Sequence, residues 1–523
     1  MSVARFRLPF LGFVTPLLIW LAFPGGGELW LLLAVALVPF ILCLYSLTGK
    51  QAFVLGYLVG LACYGLQLYW LVTVLSKYGG LPLFIAVPVL FLLLSYMAVY
   101  MAIFGWCGSL MLRHFSPLAL LVGLPSLWVG LDWLRSFLFS GFPWMDLGYG
   151  VAGVPLLVQS ADLFGHHLLT FLLLLLNTQI VLLILRWQNR TENILPMVVT
   201  ISMIGVVAAY STWRQGDVDR ILQLPGTEVL SVGVVQGNID QSMKWSPDQQ
   251  QRTVGTYLAA TDTLVAERNA ELVVWPETAL PFYPTAYPGM YEMYNGLARS
   301  GTAVLTGAPW YEIADIEKRQ INYFNSAQLY LPDGSIAGSY YKSHLVPFGE
   351  YVPLKRFLPF LAPLVEAVGD FSPGRIEGTL DFGNARIGVL ICFESIFGDM
   401  GRKWVEKGAN VLVNLTNDAW YGRSSAPYHS MAMTVLRAVE TRRSIVRSAN
   451  TGISGFIDPL GRVEGASEIF TPWSGARTVP LLTQTTMFVR WGYLFGPLCC
   501  LCGFGLVAVI WVRKKRSGGE KGS

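Results

Sequence analysis

The chain has 523 residues, 53% of them hydrophobic and 13% charged, with a formal net charge of +4. That balance excludes both an ordinary soluble protein and a disordered chain, and it fits a membrane protein that carries a soluble part. Several positive charges flank apolar segments, and nothing suggests a nucleic-acid footprint.

A spanning helix needs roughly 20 apolar residues. Eight segments qualify, at about 8–24, 28–48, 52–76, 81–112, 117–137, 163–186, 196–213 and 492–512. The fourth is long enough to tilt or kink, with Pro88 near its start. The N-terminus is built like a signal peptide, but AFPGGG offers no small-x-small cleavage site, so a retained helix is expected. Arg5, Arg7, Lys50, Arg113, Arg186, Arg190 and the tail RKKR (Arg513–Arg516) fall on one set of loops. The alternate loops, Gly25–Glu28, Ser76–Gly80 and Ser140–Gly150, hold only Lys77 among them. The positive-inside rule then puts both termini in the cytoplasm and the long segment between the seventh and eighth spans outside. The expected organisation is 1–224 with seven spans, 225–485 as one exterior domain, and 486–523 with the eighth span and a basic tail.

Within the exterior segment, short apolar runs alternate with helical patterns. VLSVGVVQGNI (Val229–Ile239) reads as a strand, followed by a helix from about Ser246 to Arg268. ELVVWPE (Glu271–Glu277) is a second strand, stopped by Pro276, and TAVLTGAP (Thr302–Pro309) a third. Asn325–Glu350 reads as a hairpin turning at Asp333-Gly334. RIGVLICFE is a strand leading into a helix to about Lys407, and ANVLVNLTNDAW (Ala409–Trp420) another. A helix carries His429–Arg443, and Ser448–Val463 closes the domain in a hairpin. Strands alternating with helices predict a layered α/β domain.

Of the seven cysteines, Cys43, Cys63, Cys107, Cys499, Cys500 and Cys502 fall within predicted spans, and Cys392 alone lies in the exterior domain. It can form no disulfide there, although an exterior compartment would permit one. A lone thiol in an oxidising space is a liability unless it has a task; against this, free cysteine is commonly buried filler. Glu277, Lys342 and Cys392 also sit at the ends of predicted strands, with Glu350 and Glu394 close behind in sequence. Each has an ordinary reading as a surface carboxylate, a solvated lysine or a core residue. Together they bring an acid, a base and a thiol to strand termini, where open α/β domains bind ligands.

The motifs WPE, YxKxHLVPFGEYVP, GVxICFE and NLTNDAWYG resemble the nitrilase, or carbon-nitrogen hydrolase, superfamily. With the eight-span frame, the whole chain is similar to its membrane-embedded branch, the apolipoprotein N-acyltransferases. The resemblance implies an α-helical membrane bundle of eight helices plus an exterior nitrilase-like αββα sandwich. It also implies a bacterial inner-membrane enzyme whose catalytic domain faces the periplasm. Glu277 would be the general base, Lys342 the oxyanion partner and Cys392 the nucleophile, which needs its thiolate to react. Glu350 would hold the lysine and the base in register, and the Phe393 N–H would be a second oxyanion donor. Relatives often carry Tyr after the nucleophile; this chain has Phe393 and lacks that phenol.

The chemistry so implied is ping-pong acyl transfer. Cys392 takes the sn-1 chain of a phospholipid, typically phosphatidylethanolamine, and passes it to the N-terminal amine of a diacylglyceryl-cysteine apolipoprotein. No cofactor is expected, and His344 and His429 lack metal-ligand spacing. Trp245 matches a family tryptophan near the site, although a Trp after a strand is as often core; Trp144, in an exterior loop beneath the domain, is a substrate-binding candidate whose ordinary use is interfacial anchoring. Glu394 either orients Lys342 or pairs within the fold; Asp418 and Glu440 read as structural, and Asp132 with Arg135 as an ion pair. PLKRFLPFLAPLVEAV (Pro353–Val368) is apolar for an exterior loop. It is read either as an internal helix or as a membrane-facing lid in which Phe357, Leu358, Phe360 and Leu361 contact acyl chains. Two other functions fit less of the sequence: a tethered amidase acting on a small amide, and a receptor or transporter in which Cys392 would be dispensable.

Overall fold

The computed structural model describes residues 10–186, 190–241, 246–284, 290–315, 317–318, 320–351 and 370–519. They fall into two compact units, one of Met1–Val72, Pro82–Gln215 and Arg490–Ser523, the other of Thr73–Leu81 and Gly216–Val489.

The first unit is helical. Among the described residues, six helices are long and apolar enough to cross a membrane: Gly49–Leu68, Leu83–His114, Pro117–Arg135, His166–Leu185, Thr191–Leu222 and Gly492–Lys515. The expected eight is thus met by six, and the difference lies at the start of the chain. Of the first expected span, Val14–Ala22 is described as a nine-residue helix. The second breaks into a 3-10 turn, Trp30–Ala34, and a helix, Val38–Ser46. Pro39 explains the restart, because it lacks the N–H that would continue the ladder, yet it fits a first helical turn. The break is repaired from elsewhere: Leu37 N–H donates to Asn177 Oδ1 at 2.8 Å, and Asn177 Nδ2 donates to Leu33 O at 2.8 Å. Thr48 and Gln51 form a reciprocal cap on Gly49–Leu68. That helix packs on Leu83–His114 through small residues; a Cβ at Gly56 would lie 2.5 Å from Met101 O, and one at Gly105 2.5 Å from Ala52 O.

The second unit is a layered α/β domain. Its strands are β1 (Val229–Gln236), β2 (Leu272–Val274), β3 (Ala303–Asp315), β4 (Gln320–Tyr330), β5 (Ile336–Tyr341), β6 (Leu380–Phe382), β7 (Ala385–Ile391), β8 (Val411–Thr416), β9 (Ser444–Ala449), β10 (Gly455–Ile457), β11 (Val463–Glu464) and β12 (Trp473–Pro480). They form two six-stranded sheets, ordered β12-β1-β2-β3-β4-β5 and β11-β10-β9-β8-β7-β6. The sheets meet face to face, β1 against β9 and β4 against β7. Pro247–Arg268 packs on the first sheet, and Gly398–Glu406 and Ala426–Thr441 on the second. Each sheet has a parallel centre, β1-β2-β3 and β7-β8-β9. Of these, β2, β8 and β9 are buried along their whole length, as a strand covered on both faces requires.

The predicted strands recur with shifted ends, and the β4–β5 hairpin turns where expected, with Gly334 at φ +82°. Strand β12 was not anticipated. It returns after the last predicted hairpin to pair antiparallel with all of β1, from Val229↔Pro480 to Gln236↔Trp473.

Candidate active site

Glu277 leaves the C-terminal end of β2 and crosses over β3 at Gly307. A Cβ at Gly307 would lie 2.7 Å from Glu277 Cα and 2.4 Å from Thr278 N, so only glycine lets the carboxylate segment pass so close. Lys342 follows β5, and its N–H donates to Asn325 O at 2.8 Å, extending the β4–β5 pairing by one residue. Cys392 follows β7 in a left-handed conformation, φ +52°, opening the 3-10 turn Cys392–Ile396. A non-glycine residue held there is strained, and such strain concentrates at functional sites.

The side chains converge. Lys342 Nζ lies 2.9 Å from each oxygen of Glu350 and 3.9 Å from Glu277 Oε1. Asn325 Nδ2 donates to Glu277 Oε1 and to Glu350 Oε1, both at 2.8 Å, and the Val346 N–H donates to Glu350 Oε2 at 2.8 Å. Glu277, Lys342, Glu350 and Asn325 are buried, whereas Cys392 keeps partial exposure. Burial opposes the charge on Lys342, but Glu350, then Glu277 and Cys392, outweigh it and hold the ammonium above its ordinary pKa. Burial pushes the Cys392 thiol up to about 12; the Glu277 carboxylate adds to this, Lys342 opposes it, Asp418 adds, and Thr416 opposes through a hydrogen bond. Cys392 is therefore a protonated thiol at rest, in the field of a charged ammonium.

Glu394 does not touch Lys342 in any hydrogen bond among the described residues. Its Oε1 accepts from Tyr340 Oη at 2.7 Å, from the Ser343 N–H at 2.8 Å and from the His344 N–H at 3.0 Å; its Oε2 accepts from the Ile391 N–H at 2.8 Å. It ties the backbone just after Lys342 to the backbone just before Cys392. Burial raises its pKa despite these donors. Phe393 is buried against Phe397, ring centroids 5.1 Å apart, and against His344. Asp418 pairs with Arg447 at 3.0 Å and Glu440 with Arg437 at 2.8 Å, all four buried. Trp144 belongs to the helical unit, where it is buried against Trp70 and Phe142. Trp245, Phe357, Leu358, Phe360 and Leu361 lie outside the described residues.

Two residues linked to this group went unnoticed in the sequence. Asn325 is a polar side chain inside a run of buried positions in β4, which is a readable signal. Tyr421 ends the NDAWY turn; burial first, then Cys392, Asp418 and Glu277, drive its phenol well above its ordinary pKa. A phenol thus stands in electrostatic reach of Cys392 from a different element than position 393.

The description of the apolipoprotein N-acyltransferase N-terminal domain matches residues 16–179, and that of carbon-nitrogen hydrolases matches residues 231–470. The apolipoprotein N-acyltransferase of Geobacter metallireducens is 39% identical over 505 residues, covering 95% of this chain and 94% of that protein. The chain belongs to the apolipoprotein N-acyltransferase family. The family member of Methylococcus capsulatus is 32% identical, covering 90% of this chain and 89% of its own. Among solved structures, an amidase from Nesterenkonia sp. is a remote likeness, with 18% identity and a TM-score of 0.36 over 50% of this chain and 94% of that one. All of Glu277, Lys342, Glu350 and Cys392 lie inside the carbon-nitrogen hydrolase match of this apolipoprotein N-acyltransferase family member.

Proposed function

We propose that the chain transfers an acyl group from the sn-1 ester of a phospholipid, through a thioester on Cys392, to the N-terminal amine of a diacylglyceryl-cysteine apolipoprotein. The observation that carries this reading is a partly exposed thiol within electrostatic reach of a buried carboxylate and of a lysine whose charge Glu350 secures. In the first half, Glu277 takes the proton from Sγ as sulfur attacks the ester carbonyl carbon. The oxyanion forms beside Lys342 Nζ and the Phe393 N–H. The C–O bond then breaks, Glu277 returns the proton to the departing glycerol oxygen, and a lysophospholipid leaves. In the second half the amine attacks the thioester, Glu277 takes its proton, the C–S bond breaks and sulfur regains the proton. Glu350 and Glu394 act on geometry, the first holding the ammonium and the second locking the two loops together.

Phosphatidylethanolamine is the donor we favour. Trp245, Phe357, Leu358, Phe360 and Leu361 are candidates for holding acyl chains, and burial makes Trp144 a packing residue more than a contact. The apolar helices support a bacterial membrane protein. Loop charges support an inner-membrane orientation with the domain in the periplasm and both termini in the cytoplasm, which reporter fusions near Thr227 and after Arg516 test by reading on opposite sides. The decisive experiment is intact-mass spectrometry of the enzyme given phospholipid alone. An acyl adduct removable by neutral hydroxylamine and absent from Cys392→Ala is expected; transfer by Cys392→Ala would end every thiol mechanism for this chain.

A further inference from the structure

Asn325 takes no part in the steps above, yet it touches three of the residues that do. Its backbone carbonyl accepts the Lys342 N–H at 2.8 Å. Its amide nitrogen lies 2.8 Å from Glu277 Oε1 and 2.8 Å from Glu350 Oε1. We propose that Asn325 is a positioning residue that holds Glu277 at the long edge of the lysine's ion pair rather than in contact with it, and so available to Cys392 as its base. The inference rests on the thiol mechanism proposed above.

The distances make the case. Two carboxylates compete for one ammonium, and they do not share it equally: Lys342 Nζ is 2.9 Å from Glu350 and 3.9 Å from Glu277. What Glu277 Oε1 has instead is an amide hydrogen. The orientation of that amide follows from its partners, because the flipped form would set the carbonyl oxygen against two carboxylates. An amide carries two hydrogens, one for each acid, and no charge. A second ammonium at this place would pair with Glu277 and suppress its basicity. An apolar residue would leave Glu277 free to turn to Lys342. A neutral double donor avoids both outcomes. Position 325 suits this role because β4 runs between the two acids: Asn325 lies opposite Pro309 on β3, two residues beyond the Gly307 over which Glu277 crosses, and Lys342 directly follows β5 on the other side.

The test reads the base, not the lipid. The rate of Cys392 alkylation by a small neutral reagent such as iodoacetamide is measured in the native enzyme, Asn325→Ala, Glu277→Gln and the double variant, in detergent. Asn325→Ala should slow alkylation by about tenfold or more in the native background and by less than about twofold in the Glu277→Gln background, since residues acting through one another are non-additive. The same variant should lower kcat for acyl transfer and leave KM for phospholipid within about twofold. Alkylation at the native rate, or an equal loss in both backgrounds, would overturn the proposal, the second because it marks a purely structural role. If Asn325→Ala yields no folded protein, Asn325→Ser carries the same cycle, with a smaller loss expected because a hydroxyl serves only one of the two acids. If Glu277→Gln itself alkylates at the native rate, the base assignment falls and this inference with it; if Cys392→Ala still transfers acyl groups, the thiol reading falls first.

Discussion

Each unit of the molecule buries one cluster of two carboxylates around a single strong cation, and the two clusters are built to opposite ends. In the helical unit, Arg135 Nη2 lies 2.9 Å from Asp132 Oδ1 and 2.5 Å from Asp146 Oδ1, while its Nη1 reaches the Tyr64 hydroxyl. Asp146 Oδ2 takes His166 Nε2 at 2.9 Å. The planar fork of arginine can hold two acids at contact distance, and here it does. In the α/β domain, Lys342 is a point charge that holds Glu350 at 2.9 Å and leaves Glu277 at 3.9 Å, where its carboxylate acts electrostatically on the Cys392 thiol. The first cluster spends its charges on itself; the second keeps one carboxylate in reserve. Composition alone does not distinguish the two clusters, whereas the unequal sharing of the cation does, and it is the difference on which the proposed role of Glu277 rests.

Removing one charge from each cluster should separate the two roles. Glu277→Gln keeps the shape and the hydrogen bond from Asn325 but removes the base, and should lower kcat by about 100- to 10,000-fold with little change in thermal unfolding. Arg135→Met leaves two buried acids without their cation and should destabilise the protein by about 3–5 kcal/mol, because breaking a buried pair exposes the full desolvation cost of what remains. The Cys392 alkylation rate of whatever remains folded should stay near native. A large loss of turnover without loss of stability in Arg135→Met would make the helical cluster functional and erase the contrast.

The same contrast shows what could be read in the sequence. Cys392, Glu277 and Lys342 were legible because each ends a short strand, and β7 in particular is buried without a break from Ile387 to Ile391. Their convergence was not legible from spacing; it came from resemblance to a family. Asn325 was missed because its partners lie 48 and 25 residues away: a polar residue inside the β4 run could be noticed, but not that it would sit between two acids. Strand β12 was missed because WSGARTVP carries glycine, arginine and proline on a largely exposed edge strand and does not alternate cleanly. The break inside the second expected span was not legible because hydropathy counts apolar residues and ignores the backbone. Pro39 ends the ladder, and the repair by Asn177 comes from a residue 140 positions beyond Leu37.

The smallest expected effect is a slope in stability with pH, and it tests whether the reserve carboxylate faces a protonated thiol. Burial, aided by Glu277, pushes the Cys392 thiol up to about 12, whereas a free thiol titrates near 8.5. Below about 8.5 the folded and unfolded chains both hold the proton, and the contribution is fully present. Between there and the folded value, the unfolded chain loses a proton that the folded chain keeps. Fewer protons are then bound in the unfolded state, so stability falls as pH rises through this window. Lys342, also held above its ordinary pKa, contributes a loss of the same sign at high pH, so the native protein alone cannot isolate the thiol. Subtracting Cys392→Ala does. Because Cys392 keeps some exposure, the full shift does not convert to stability. We expect the native protein to lose about 2–4 °C in Tm relative to Cys392→Ala between pH 8 and 10.5, the reading of ~1 kcal/mol in a domain of this size. The Arg135 guanidinium does not titrate in that range, so the helical cluster should add no slope of its own through its cation. Parallel curves for native and Cys392→Ala would mean that the fold does not hold the Cys392 proton above the free-thiol range, and would remove the premise that burial keeps the thiol protonated.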